Sequence, residues 1–135
     1  MSRLQVETNA SLFRTFNISK SHQIGQWGEQ TALLYLHNKN YKTLATRYRT
    51  PYGEIDLIVS NDKTIVFVEV KTRRKPHALT NALSPHQHQR AQHAAEHFLC
   101  TNPQYGLFNM RFDAIMVDHN GVVNHIENIW EISPD

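Results

Sequence analysis

The segment from Gly53 to Arg73 most narrowly limits what this chain can fold into. It holds two runs of alternating apolar and polar residues, Glu54–Val59 and Thr64–Thr72, separated by the polar Asn61-Asp62-Lys63. Two β-rich runs joined by so short a polar break predict an antiparallel hairpin. Parity then sets the register. With the turn centred between Asp62 and Lys63, Ile55 faces Val70, Leu57 faces Val68 and Val59 faces Val66, which collects one continuous apolar face. A slip of one residue would set those apolar residues against Glu69 and Lys71, so the pattern specifies its own pairing.

The same register places Asp56 opposite Glu69 on the other face, with Ile58 opposite Phe67 and Glu54 opposite Lys71. Directly opposed residues have Cβ atoms only ~4.5–5.5 Å apart. Two carboxylates held that close repel each other unless a cation lies between them. Lys71 falls on the same face as Glu69, roughly 7 Å along the strand. Two carboxylates and a lysine on a rigid hairpin suit a divalent-metal site for phosphate chemistry. The plainer alternative is a half-solvated strand on which Glu54 and Lys71 form a cross-strand ion pair.

The flanking chain supplies layers for this hairpin. Residues 1–20 lack a sustained period and are expected to form a mobile N-terminal arm, with residues 21–135 as a single domain. Ser21 to Asn38 predicts a helix with an apolar stripe of Ile24, Trp27, Thr31, Leu34 and Tyr35. Gly25, Gly28 and Ala32 lie beside the stripe and would let the helix approach a sheet closely. Glu29 sits at the margin, able to reach either water or the carboxylate face of the hairpin. Tyr41 to Tyr48 predicts a first strand, joined to the hairpin through the turn-like Pro51-Tyr52-Gly53.

After a polar connection from Lys75 to Leu83, Ser84-Pro85 opens a second helix that runs to about Cys100. Ser is a strong N-cap, Pro suits the first helical position, and Gln87 completes a capping-box pattern. Gln87 also lies at the edge of the apolar side formed by Ala91, Ala94, Ala95, Phe98 and Leu99, which makes it a possible auxiliary site residue. His86, Arg90, His93 and His97 form a stripe expected to face solvent. His93 and His97 have the spacing of a zinc pair, without a third ligand in obvious reach. Met110 to Val117 predicts another strand, and Asp118 to Gly121 turns the chain into an edge strand, Val122 to Ile126. Asp113, polar in mid-strand, is expected to be satisfied by Arg111 or a backbone donor. Trp130 and Ile132 would pack the tail down. Helix, three strands, helix and two strands predict an α/β layer fold with a mixed sheet.

Composition narrows the setting. No apolar run approaches the ~20 residues of a membrane span, and the N-terminus has no apolar signal core. One cysteine, Cys100, excludes an internal disulfide framework and fits a reducing cytoplasm; it is expected to be buried. The formal net charge is only +2, but Lys71, Arg73, Arg74 and Lys75 cluster after Glu69, with Arg47 and Arg49 before the hairpin. Such patches favour a polyanion over a membrane surface.

The order of elements, with Asp on one central strand and Glu-x-Lys on the next, resembles the PD-(D/E)XK nuclease superfamily. More closely, Gly25-x-x-Gly28-Glu29-x-x-Ala32-x-x-Tyr35-Leu36, Gly53-Glu54-Ile55-Asp56-Leu57-Ile58 and Val66-Phe67-Val68-Glu69-Val70-Lys71-x-Arg73 look like the bacterial YraN family. That family has an endonuclease-like fold akin to archaeal Holliday junction resolvases. The resemblance spans Ile24 to Val117. It implies a restriction-endonuclease-like, three-layer αβββαβ core with a central mixed sheet, here with an extra C-terminal edge strand. It also implies Asp56 and Glu69 as ligands of Mg²⁺ or Mn²⁺, Lys71 as the catalytic lysine and Glu29 as an auxiliary acid. Arg49, Arg73, Arg74, Lys75 and Arg90 are candidates for nucleic-acid backbone contacts, which fix position and not sequence.

The implied activity is Mg²⁺-dependent phosphodiester hydrolysis on DNA rather than RNA, on branched or recombination intermediates, with a homodimer by analogy with the resolvases. The alternative is a non-catalytic nucleic-acid-binding module that assists recombination or DNA uptake. A protein-interaction scaffold is a third reading, opposed by the basic cluster. Two positions depart from the family pattern: Thr46 stands where an asparagine is expected, and Gln87 where a lysine commonly follows the helix-opening proline.

Overall fold

Three consecutive runs of β-forming residues joined by tight turns make a meander, and an apolar-sided helix is then needed to return the chain for a parallel strand. The computed structural model, which describes residues 20–72 and 84–130, has this arrangement. In chain order it contains α1 (Lys20–Asn38), β1 (Lys42–Thr50), β2 (Gly53–Asn61), β3 (Thr64–Thr72), α2 (Pro85–Thr101), a 3₁₀ turn (Pro103–Tyr105), β4 (Asn109–Val117) and β5 (Val123–Ile126). The strands form one sheet in the order β1-β2-β3-β4-β5. Only β3 and β4 run parallel, and α2 is their crossover. Helix α1 covers one face and α2 the other, giving a three-layer nuclease-like core with an extra C-terminal strand. Residues 1–19, the segment 73–83 and the tail with Ile132 lie outside the described residues. Among the described residues, no helix is long and apolar enough to cross a membrane.

The central strands are buried on both faces. Trp27, Ala32 and Leu36 of α1 pack on Leu57, Val59, Val66, Val68, Ile115 and Val117. Ala94, Ala95 and Phe98 of α2 pack on Ile55, Ile58, Ile65 and Phe67. The hairpin pairs Leu57 with Val68, Ile58 with Phe67 and Val59 with Val66, the register that parity predicts. At the start of α2, the Ser84 hydroxyl accepts the Gln87 N–H at 3.1 Å, and Pro85 follows the cap. Cys100 is exposed rather than buried, because the sheet-facing side of α2 runs through Ala94, Ala95 and Phe98 and leaves Cys100 outside it.

The stripe expected on α1 is also rotated. Gln23, Trp27, Thr31, Ala32 and Leu36 are buried, whereas Ile24 is 41% exposed and Leu34 and Tyr35 are only half-buried. Small residues set the line of closest approach: a methyl group on Gly28 would run into the Thr72 hydroxyl of β3. Thr31 is tolerated inside because its hydroxyl donates to the Trp27 carbonyl at 2.8 Å. Gly28→Ala is therefore expected to destabilise the fold by about 1–3 kcal/mol through overpacking. Gly25→Ala, where an added Cβ meets nothing within 4 Å, should gain up to about 1 kcal/mol from helix propensity. Urea denaturation followed by circular dichroism separates the two, and equal midpoints would refute the close-approach argument.

Asp113 is the buried polar anchor of the β4–β5 side. Arg111 donates to it through Nε at 2.9 Å and Nη2 at 3.0 Å, and the Asn128 N–H donates at 3.1 Å. His125 Nε2 lies 2.7 Å from the same carboxylate and its Nδ1 lies 3.0 Å from the Tyr35 hydroxyl. Arg111 also reaches the Tyr41 hydroxyl at 2.8 Å. The expected Arg111 and backbone donors are both present, and His125 adds a third. Burial alone would raise the Asp113 pKa, but the hydrogen bonds from His125 and Arg111 outweigh it and hold it below the usual carboxylate value.

Candidate active site

Alternation in β2 holds from Leu57 to Asn61 and breaks at Asp56. Across the β1–β2 ladder, Thr46 pairs with Leu57 and Tyr48 with Ile55. Between these pairs lie Arg47, which has a φ of 50°, and Asp56. Ile55 packs on the α2 side with Ile58, so of the expected apolar face the pairs Leu57–Val68 and Val59–Val66 form, and Ile55 opposite Val70 does not. In its place the Asp56 carboxylate accepts the Val70 N–H through Oδ2 at 2.8 Å. Pairing between β2 and β3 runs from Leu57↔Val68 to Asn61↔Thr64. Asp56 and Glu69 thus stand just beyond the paired ladder instead of forming a step within it.

Both acids line a cleft of about 220 Å³ between the sheet and α2, together with Glu54, Gln87 and Arg90. Lys71 Nζ lies 2.9 Å from Glu69 Oε2, as residues two apart on one strand face allow. The alternative Glu54–Lys71 pair is not formed; Glu54 pairs with Arg49 at 3.4 Å. Glu29 of α1 is held by Arg47 Nε at 3.0 Å, and its negative charge still acts on Asp56. Arg47 was legible in the sequence only as part of a basic cluster. Among the described residues, no three His, Cys, Asp or Glu side chains gather into a metal-holding group, so the acidic centre consists of the Asp56–Glu69 pair.

Burial, followed by the nearby Glu69 charge, pushes the Asp56 pKa up to about 7, against the lowering effect of the Val70 N–H. A cation would relieve both raising effects at once. The donor set fits a hard divalent ion: two carboxylates in a cleft that admits water, the arrangement Mg²⁺ uses when it keeps most of its hydration shell. Asp56 has one oxygen engaged by backbone, leaving the other for a ligand.

The remaining sequence candidates divide by position. Arg90 joins the cleft and donates from Nε to the Tyr52 carbonyl at 3.3 Å. His93 packs edge-to-face against Tyr52 with ring centroids 5.4 Å apart, and His97 Nδ1 lies 2.8 Å from the Tyr48 hydroxyl. The stripe faces solvent as expected at His86, Arg90 and His93, which are exposed, while His97 is half-buried against Tyr48. Arg49 is largely exposed. Arg73, Arg74 and Lys75 lie outside the described residues. Tyr52, read in the sequence only as part of a turn, directly precedes the cleft-lining Gly53 and is tied through its carbonyl to Arg90, and Trp130, stacked on His88 at 4.6 Å, lines the cleft.

A family model described as "Uncharacterised protein family UPF0102" matches residues 28–117, the span that carries Glu29, Asp56, Glu69, Lys71 and Arg90. A UPF0102 protein of Rhodopseudomonas palustris (strain BisB5) is 40% identical over 112 residues, covering 83% of this chain and 86% of its own. One from Bradyrhizobium diazoefficiens is 40% identical over 105 residues, covering 78% and 79%. Another, from Parvibaculum lavamentivorans, is 34% identical over 110 residues, covering 82% and 83%. With the matched span running from α1 through β4, the chain belongs to the UPF0102 family, the YraN-like proteins.

Proposed function

We propose that the protein is a divalent-metal-dependent phosphodiesterase acting on DNA, including branched or recombination intermediates. The observation that carries this reading is Asp56, half-buried beside Glu69 and raised to about 7, in a cleft also lined by Arg90. Strongly perturbed acids in a cleft mark functional sites more often than structural ones. DNA rather than RNA follows the resemblance to resolvases; the cleft itself asks for a phosphodiester.

Asp56 and Glu69 would hold Mg²⁺ or Mn²⁺, which when bound supplies Lewis-acid polarisation of the phosphate and activation of water. Lys71, fixed by its ion pair to Glu69, offsets negative charge that grows on the phosphate. Arg90 holds a phosphate oxygen from the α2 wall, and Gln87 offers an amide to orient a substrate oxygen or water. Glu29 acts on Asp56 through charge, with Arg47 keeping it in place. Arg49, Arg73, Arg74 and Lys75 extend the basic surface along which a backbone would run.

The second reading, a binding module on this scaffold, is favoured by one observation: Glu29 is occupied by Arg47 and no third acid joins the pair among the described residues. Incubating the protein with single-stranded, duplex and branched DNA in Mg²⁺ or Mn²⁺ decides between them. Cutting is expected, and Asp56→Asn or Lys71→Ala should lower its rate by at least about a hundredfold with circular dichroism unchanged. A wild type that retains DNA but cuts none of the three leaves only the binding module.

A further inference from the structure

We infer that Tyr52 is a stacking platform for an unpaired base beside the cleft, which makes single-stranded or locally unpaired nucleic acid the substrate class. This inference rests on the nucleic-acid reading proposed above. Tyr52 is 53% exposed, yet its surroundings hold it in place. The Thr50 hydroxyl donates to the Gly53 carbonyl at 2.8 Å and accepts the N–H groups of Tyr52 at 3.0 Å and Gly53 at 3.1 Å. Arg90 donates to the Tyr52 carbonyl, and the His93 ring packs against the Tyr52 ring.

The backbone is thereby held and the ring has one packed neighbour before any ligand arrives, which lowers the cost of ordering the aromatic group on binding. Arg90 links the Tyr52 backbone to the cleft, because the side chain that donates to its carbonyl also lines the cavity that holds Asp56 and Glu69. Gly53 and Glu54, the next residues in the chain, line it too. A ligand that presents a planar π-face and an anion a short linkage apart matches this pairing of ring and cation, and a nucleotide has both. In a duplex each base face is covered by its neighbours, so only an unpaired base offers one to Tyr52.

The test uses the full chain in EDTA, so that cutting contributes nothing, with a short single strand and a blunt two-strand duplex of matching sequence as probes. Tyr52→Ala should weaken single-strand binding about tenfold or more while duplex binding changes less than about twofold. Tyr52→Trp should restore it. A 2-aminopurine in the strand should be quenched by wild type and not by Tyr52→Ala. The salt dependence should stay unchanged in Tyr52→Ala, which removes no charge, and become shallower in Arg90→Ala. Equal loss on both probes, no loss on either, or no single-strand binding at all overturns the inference. Tyr52-dependent binding without metal-dependent cutting would sink the phosphodiesterase reading alone, whereas cutting of single strands indifferent to Tyr52 would sink the stacking role alone.

Discussion

Replacing Asp113 by alanine is expected to destabilise the fold by about 3–5 kcal/mol, the range for removing one partner from a buried ion pair. The carboxylate is fully buried and accepts two hydrogen bonds from Arg111 and one from the Asn128 N–H, with His125 at 2.7 Å. Its loss strands a guanidinium that is only 19% exposed and an imidazole that is 4% exposed. The Tyr41 hydroxyl and the more distant Glu127, at 3.8 Å, compensate Arg111 in part. Since a domain of this size has a net stability of roughly 5–15 kcal/mol, the variant should melt far earlier in urea at neutral pH. Asp113→Asn keeps the shape but not the charge and should fall between. The Asp113 pKa lies lower in the folded chain than in the unfolded one. Its contribution is therefore present above the unfolded value of about 3.9 and is lost as pH falls through the folded value. Asp113→Asn should accordingly flatten the acid limb of stability below about pH 4. A urea midpoint for Asp113→Ala equal to that of wild type would show that the network carries no stability.

Features set by local pattern were legible in the sequence, and features set by packing between distant segments were not. The register of Leu57 with Val68 follows from a period of two and a short turn, so parity alone finds it. Ser84 and Pro85 announce the start of α2 because capping is a local hydrogen-bond problem. Asp56 and Glu69 stood out as charges in apolar strands. The placement of Ile55 was not legible, because alternation assigns it to the face of Leu57, whereas it packs with Ile58 under α2 just where the β2–β3 ladder has ended. The rotation of α1 was equally hidden: the limit is set by Thr72 against Gly28, a contact no periodicity within the helix reports. Glu29 was seen as an acid near the hairpin, but its partner Arg47 could be assigned only once α1 and β1 were placed. The polar stripe of α2 faces solvent as its pattern reads, but its contacts with Tyr48 and Tyr52 were hidden because those partners lie on and beyond β1.

The bare protein is expected to lose stability as pH rises from about 4 to 8, and a divalent ion should restore it. Asp56 titrates near 7 when folded because burial and then the Glu69 charge disfavour its anion. In the unfolded chain it titrates near 3.9. The folded state therefore holds a proton that the unfolded state has released. The resulting stabilisation is fully present below about pH 4 and is lost as pH passes through 7, an amplitude of a few kcal/mol at most. Other groups titrate over the same interval, so the useful quantity is the difference between wild type and Asp56→Asn. An asparagine can still accept the Val70 N–H through its side-chain oxygen, so the substitution removes the titration and keeps the contact. In EDTA the variant should be the more stable of the two at pH 8 and about equal at pH 4. With Mg²⁺ or Mn²⁺ at a hundredfold excess over its Kd, wild type at pH 8 should gain about 2.7 kcal/mol, and the variant, with one ligand gone, much less. Urea melts at the two pH values, with and without metal, measure all of this. Should wild type and Asp56→Asn run parallel across the pH range and ignore the metal, then Asp56 and Glu69 coexist without a cation, and the reason for placing one between them disappears.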